Sequence, residues 1–328
     1  MIRVAAPGSQ PFLCLLLMDS VLLTVIIPVY NTAAALERCL DSFFLSPRFL
    51  QSVDFVVVDD GSDVPVCVDR PQVTVVRQSH AGAAAARNAG VAHADGRFVW
   101  FFDADDRVAP LHLDRLLELL QSLPDGALLF HTGPMQQGVD RVGEVPVTPS
   151  APLSLSQLLL PRSGCLDHTT YLVARGLLLH HPELRYPEGR SLLEDSSFVL
   201  QLLDTVATVH THEGLSPYIR TSDQPSLTSG AWNSARCQQF LPDIIDFFDR
   251  LSAFVGRHPD CRQLPQLFDR YCYLYLRVLA VKGCPWNLLF EFRSRLHQLG
   301  YRPASLKGRL LNGRCLLFLL STSCRLLR

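Results

Sequence analysis

Gly96-Arg-Phe-Val-Trp-Phe-Phe-Asp-Ala-Asp-Asp106 is an apolar run that stops abruptly at three carboxylates. Read as a strand buried on both faces, it delivers Asp103, Asp105 and Asp106 to the edge of a sheet. Residues two apart on an extended end share a direction, so Asp103 and Asp105 can face one ion. Without a cation, carboxylates this close raise one another's pKa. Hard divalent ions with oxygen ligands, Mg²⁺ or Mn²⁺, suit such a spot, and they usually arrive with a substrate diphosphate.

Working outward from this strand, Arg97 to Phe102, the runs Leu22 to Val29, Asp54 to Val58 and Val73 to Val76 also read as strands buried on both faces. Ala33 to Phe44 and the alanine-rich Ala83 to Ala94 read as the helices between them. This alternation predicts an α/β fold with a mostly parallel central sheet and right-handed crossovers. Ligands of open α/β sheets bind beyond the carboxyl ends of the strands. Pro28-Val-Tyr-Asn31, Asp59-Asp-Gly-Ser62 and Asp103-Ala-Asp-Asp106 all fall there. Downstream, Leu111 to Ser122 and Leu192 to Leu203 read as helices, Ala127 to His131 as a strand, and 206 to 218 as extended segments. Beyond Trp232 the pattern turns helical. Ile244, Ile245, Phe248, Leu251 and Val255 share one face, and Gln263 to Val281 and Pro285 to Leu299 follow as two more helices. The expected organisation is an N-terminal extension over 1–20, an α/β domain over 21–230 and a helical C-terminal region over 231–328.

The formal net charge of −1 conceals an asymmetry: no acidic residue follows Glu291, while eight Lys and Arg do. Leu306, Leu310, Leu317 and Phe318 lie among Arg302, Lys307, Arg309, Arg314 and Arg325. An amphipathic basic tail of this kind suits an anionic membrane surface, although Gly308 and Gly313 weaken a helix there and a solvated terminus is the plainer reading. No nucleic-acid partner is expected. Ten cysteines without a CxxC pair read as reduced thiols of a cytoplasmic protein, and the tail suggests a peripheral position on the inner face of the plasma membrane. The apolar run Phe12 to Met18 is too short to span a bilayer. Translation from Met18 rather than Met1 would account for it.

Thr24-Val-Ile-Ile-Pro-Val-Tyr-Asn31, Val57-Val-Asp-Asp-Gly-Ser62, Ala86-Arg-Asn-Ala-Gly90 and Phe102-Asp-Ala-Asp-Asp106, in that order, resemble the motifs of the family 2 glycosyltransferases. Leu193-Glu-Asp-Ser-Ser-Phe198 and Tyr218 to Thr228 continue the likeness more weakly. The resemblance implies an inverting enzyme of bacterial cell-surface glycan type on the Rossmann-like GT-A fold. It would move a sugar from a nucleotide-sugar, with UDP as carrier, to a growing glycan or lipid-linked saccharide with the help of Mn²⁺ or Mg²⁺. A catalytically silent nucleotide-sugar-binding or membrane-scaffold protein of the same fold is the alternative.

By the same resemblance, Pro28, Val29, Tyr30 and Asn31 line a slot for the base. Asp60 accepts a hydrogen bond from that base, and Asp59 stands beside the ribose. Arg87 sits near the diphosphate, unless it pairs structurally with an aspartate. Asp105 is the direct metal ligand, and Asp103 leans toward the ribose or a metal-bound water. Asp106 either serves the donor sugar or caps the following turn. Asp195 is implied as the catalytic base, with Glu194 orienting it or the acceptor; acidic residues are also commonplace in a first helical turn. Arg220 is a candidate phosphate clamp. His210 and His212 alternate on one strand face and read as structural. A dinucleotide dehydrogenase is excluded because Pro28-Val-Tyr-Asn31 carries no GxGxxG, and no GxxxxGK(S/T) of a P-loop occurs.

Overall fold

The computed structural model describes residues 21–131, 135–136, 154–158, 166–206, 208–212, 215–221 and 232–301. Its first half runs β1 (Leu23–Val29), α1 (Ala33–Phe43), β2 (Val53–Asp59), β3 (Val73–Arg77), α2 (Ala83–Ala92), β4 (Phe98–Phe101), β5 (Arg107–Val108), α3 (Leu113–Ser122), β6 (Leu128–His131) and β7 (Met135–Gln136). There follow α4 (Leu155–Leu158), β8 (Tyr171–Ala174), α5 (Arg175–His180), α6 (Glu194–Thr205), β9 (His210–His212) and β10 (Tyr218–Arg220). Helices α7 (Ser234–Arg257), α8 (Leu264–Val281) and α9 (Trp286–Gln298) complete the described chain.

Seven strands form the main sheet in the order β3-β2-β1-β4-β8-β6-β9. The pairs among β3, β2, β1 and β4 are parallel, as is β6 with β9. Strand β8 runs antiparallel to both of its neighbours, β4 and β6. A second sheet of three short strands, β5-β10-β7, stands beyond the end of β4.

Side-chain alternation explains why the central strands read as unbroken apolar runs. Val25 and Ile27 of β1, Phe55 and Val57 of β2, and Trp100 of β4 share one core with α1 and α3. Ile26, Val56, Val58, Val99 and Phe101 point the other way, into a core built with α6 and the helices α7 to α9. Gly90 lets α2 lie close on β1, because a Cβ there would come within 2.4 Å of Ile26 Cγ2.

The buried stripe of α7 is Cys237, Phe240, Leu241, Ile244, Phe247, Phe248, Leu251 and Phe254. It is rotated from the expected face, since Ile245 and Val255 are only partly buried. Among the described residues, no helix is long and apolar enough to cross a membrane. Residues 1–20 and the basic tail beyond 301 lie outside the described residues.

Candidate active site

A cavity of about 930 Å³ opens at the carboxyl ends of β1, β2 and β4. Pro28, Val29, Tyr30, Asp60, His80, Arg87, Asp103 and Asp105 line it from the sheet side. Arg190, Ser191 and Glu194 close its middle, and Asn233, Arg236, Gln239 and Phe240 of the α7 end form the opposite wall. Of the residues singled out from sequence, Pro28, Val29, Tyr30, Asp60, Arg87, Asp103, Asp105 and Glu194 are thus brought together. Asn31, Asp59, Asp106, Asp195 and Arg220 are not among the lining residues.

The two aspartates after β2 have distinct local partners. Asp59 is fully buried and accepts hydrogen bonds from the backbone N–H of Ser62 (2.9 Å) and Val66 (3.1 Å) and from Arg77. Burial would raise its carboxyl, but these donors outweigh it and hold the group low. Asp59 therefore shapes the 60–66 loop. Asp60 turns toward α2, accepting from Gln78 Nε2 (2.7 Å), Ala81 N (2.9 Å) and Gly82 N (2.8 Å), with His80 Nδ1 at 2.9 Å. Gly61, at φ +78°, makes the turn between them, and a Cβ there would stand 2.8 Å from His80 N.

Asn31 takes the left-handed conformation (φ 55°) and spends its side chain on Asp63, bonding Asp63 N at 2.9 Å and Asp63 Oδ2 at 3.2 Å. Next to it, the Tyr30 ring is 45% exposed and stacks on His80, with centroids 4.2 Å apart. An exposed stacked ring at the rim can hold a planar base.

Arg87 is the hub of the site. Its buried guanidinium donates to Asp103 Oδ1 (2.8 Å) and Glu194 Oε1 (3.3 Å) and lies over the Tyr186 ring at 5.2 Å. It therefore pairs with an aspartate while still lining the cavity. The adjacent Asn88 clamps the 186–188 loop, bonding Tyr186 O, Tyr186 N and Glu188 Oε1, each at 2.9 Å.

The three carboxylates after β4 are in unlike settings. Burial would raise Asp103, but His168 and Arg87 overcome it and hold the carboxyl well below the usual range. Asp106 is buried, accepting from the Tyr218 hydroxyl and from Thr221 N (2.7 Å), and burial pushes it up to about 6. It fastens the β10 segment and is not among the residues that line the cavity. Asp105 is exposed and lines the cavity; burial of part of the group and the nearby Asp103 charge raise its pKa, against a hydrogen bond from its own backbone and the charge of Arg220. No three His, Cys, Asp or Glu side chains among the described residues form a complete metal site. An ion at Asp105 would therefore need oxygens from its substrate, as Mg²⁺ and Mn²⁺ commonly take.

At the start of α6, Leu193 adopts φ 61°, which turns the chain so that Glu194 faces the cavity and Asp195 lies just behind. Asp243 of α7 fixes this entry by accepting from Ser191 N (2.8 Å) and Leu192 N (3.2 Å). Asp195 accepts from Ser196 N at 2.6 Å, and its side chain keeps 35% exposure. Burial pushes its carboxyl up to about 6, opposed by His168 and reinforced by Glu194. Arg220 reaches Asp167 Oδ2 (2.8 Å) and is half exposed.

His168, His80, Asn88 and Asp243 are the structural contributors that sequence reading did not single out. Only Asp167-His-Thr-Thr170, an Asp-capped polar turn, gave a local signal for the first of them.

Residues 24–143 match the family described as Glycosyl transferase family 2. The glycosyltransferase EpsJ of Bacillus subtilis is 26% identical over 280 residues, which cover 76% of this chain and 78% of EpsJ. The succinoglycan biosynthesis protein ExoW of Rhizobium meliloti is 30% identical over 183 residues, 47% of this chain and 56% of ExoW. Among solved structures, S. aureus TarS 1-349 in complex with UDP-GlcNAc superimposes with a TM-score of 0.56 at 18% identity, covering 85% of this chain and 89% of that one. At that identity the likeness speaks to the fold, which is the GT-A arrangement expected from the sequence. The matched segment carries β1, β2 and β4, whose ends open onto the cleft, and together with these relatives it makes the chain an enzyme of the glycosyltransferase type, with an N-terminal half similar to the family 2 glycosyltransferases.

Proposed function

We propose that this enzyme transfers a sugar, with inversion, from a nucleotide-sugar to a hydroxyl of a growing cell-surface glycan or lipid-linked saccharide. The observation that carries the proposal is the shared cleft. One cavity collects an exposed aromatic platform at Tyr30, the Arg87–Asp103 pair, the exposed Asp105 carboxylate and the acidic start of α6. UDP is the carrier we favour, because TarS, which has the same fold, binds UDP-GlcNAc.

Tyr30 would stack on the base, with Asp60 and His80 at its edge. Asp105, with the Asp103 oxygen not held by Arg87, would hold Mn²⁺ or Mg²⁺ against the donor diphosphate. When bound, the ion supplies charge neutralisation for the departing diphosphate. On the acceptor side, Asp195 takes the proton of the incoming hydroxyl as that oxygen bonds to the anomeric carbon and the bond to the diphosphate oxygen breaks. A carboxyl raised to about 6 by burial is a better general base than an ordinary aspartate. Glu194 is tied to Arg87 instead, which suits it to orienting the acceptor.

Residues 21–230 are proposed as the catalytic domain and 231–328 as a helical region whose α7 end walls the acceptor side. The basic tail is proposed to rest on anionic lipid at the inner face of the membrane. Metal-dependent hydrolysis of a panel of nucleotide-sugars tests the central reading. Turnover with Mn²⁺ that disappears in Asp105→Ala supports it, and metal-independent turnover or none at all contradicts it.

A further inference from the structure

His168 is buried, and neither ring nitrogen has a hydrogen-bond partner among the described residues. Buried polar atoms in folded proteins are nearly always paired, so two on one ring call for an explanation. Each nitrogen faces a carboxylate. Nε2 lies 3.7 Å from Asp103 Oδ1, and Nδ1 lies 3.9 Å from Asp195 Oδ2.

The ring is not free to drift. It sits on the 3-10 turn His168–Thr170, whose Asp167 cap accepts from Thr169 N (3.0 Å) and Thr169 Oγ1 (2.7 Å). The Thr169 carbonyl accepts from Trp100 Nε1 (2.8 Å) of β4, and the imidazole meets the Tyr186 ring edge-on, with centroids 5.7 Å apart. A side chain fixed this firmly, within an ångström of hydrogen-bonding two carboxylates, is placed for contacts that tighten when ligands occupy the cleft. The two carboxylates serve different halves of the reaction, Asp103 the donor diphosphate and Asp195 the acceptor hydroxyl.

We propose that His168 is a positioning residue with two separable functions: Nε2 orients Asp103 for donor binding, and Nδ1 orients the base Asp195 for transfer. This rests on the roles given above to those aspartates. Two substitutions divide the functions, because an asparagine amide reaches the position of Nδ1 and a glutamine amide that of Nε2. His168→Gln is expected to keep UDP affinity, measured calorimetrically with Mn²⁺, within about threefold, while kcat for sugar-nucleotide hydrolysis falls about 10–100-fold. His168→Asn is expected to weaken UDP affinity about tenfold and, at saturating donor and Mn²⁺, to lower kcat less than His168→Gln does. A folding defect would lower calorimetric stoichiometry in either variant rather than split the two readouts.

Equal losses in both readouts, no loss in either, or the reverse pattern overturns the proposal. If Asp195→Asn leaves hydrolysis unchanged, or wild type hydrolyses no sugar-nucleotide, the reading of the base fails. The UDP affinities of the two variants then still decide the Asp103 half, with a weaker His168→Asn supporting it and equal affinities overturning it. Wild type that binds no nucleoside diphosphate overturns the site reading and this proposal together.

Discussion

Arg87→Leu removes the cation that two partly buried carboxylates share. The Arg87 side chain is 6% exposed, against 29% for Asp103 and 18% for Glu194. Breaking a buried pair by deleting one partner costs about 3–5 kcal/mol, because the remaining charge is left uncompensated. Both carboxylates keep some solvent, and His168 remains beside Asp103, so the lower end applies. For a chain of this length, about 3 kcal/mol corresponds to a fall in Tm of about 4–6 °C. Adding Asp103→Asn removes one stranded charge, and the double variant should recover about 1–2 kcal/mol of the loss.

The pH dependence has a definite sign. Asp103 is depressed in the folded state, so its contribution is present above the unfolded aspartate pKa of about 4 and is lost as pH falls toward its lower folded value. The Arg87→Leu deficit should therefore be full above about pH 5 and shrink below about pH 4. Thermal unfolding of the three proteins between pH 3.5 and 8 measures all of this. An Arg87→Leu protein within about 1 °C of wild type at pH 7.5, or a double variant less stable than the single one, would refute the reasoning.

Asp195→Asn should lower kcat by about 10²–10⁴-fold and leave donor affinity within about threefold, as steady-state kinetics and calorimetry would show; parallel loss of both speaks against a base. The acid limb of kcat/KM should lie near pH 6, because burial raises Asp195 to about 6 in the free enzyme and only its ionised form accepts a proton; a limb near pH 4 contradicts that environment. The same shift makes Asp195 favour the fold below about pH 4 and lose that contribution as pH rises through 6, with a size reduced by its 35% exposure. Gly61→Ala forces a side chain into a left-handed turn against His80 N, and should destabilise by about 1–3 kcal/mol in chemical unfolding; an unchanged midpoint would mean that the 60–66 loop adjusts freely.

The half of the fold that builds the cleft was legible because β1, β2 and β4 are apolar on both faces, a pattern that short surface strands do not show. Strand β8 escaped notice because Tyr171-Leu-Val-Ala174 runs straight into the leucine-rich helix α5, and no turn signal divides them. In α7, Pro242 and a continuous aromatic content blurred the period, so the inferred face was off by part of a turn. Motif order pointed to Asp103 and Asp105, which line the cavity, and to Asp195, which lies behind it, but chemistry-bearing partners contributed by distant segments left no trace in local sequence. Asp243 reaches back to Ser191, and His168 reaches both Asp103 and Asp195. Asp59 and Asp106 show the converse: their motif positions suggested ligand contact, whereas the geometry gives their oxygens to backbone amides, Arg77 and Tyr218.

A crystal of the protein grown with UDP and Mn²⁺, with anomalous scattering recorded for manganese, tests the cleft as a donor site. The account predicts one manganese peak beside Asp105, bridged to the diphosphate, with the base against Tyr30. Manganese remote from Asp105, or a nucleotide bound outside the wall formed by Tyr30, Asp103 and Glu194, would contradict it.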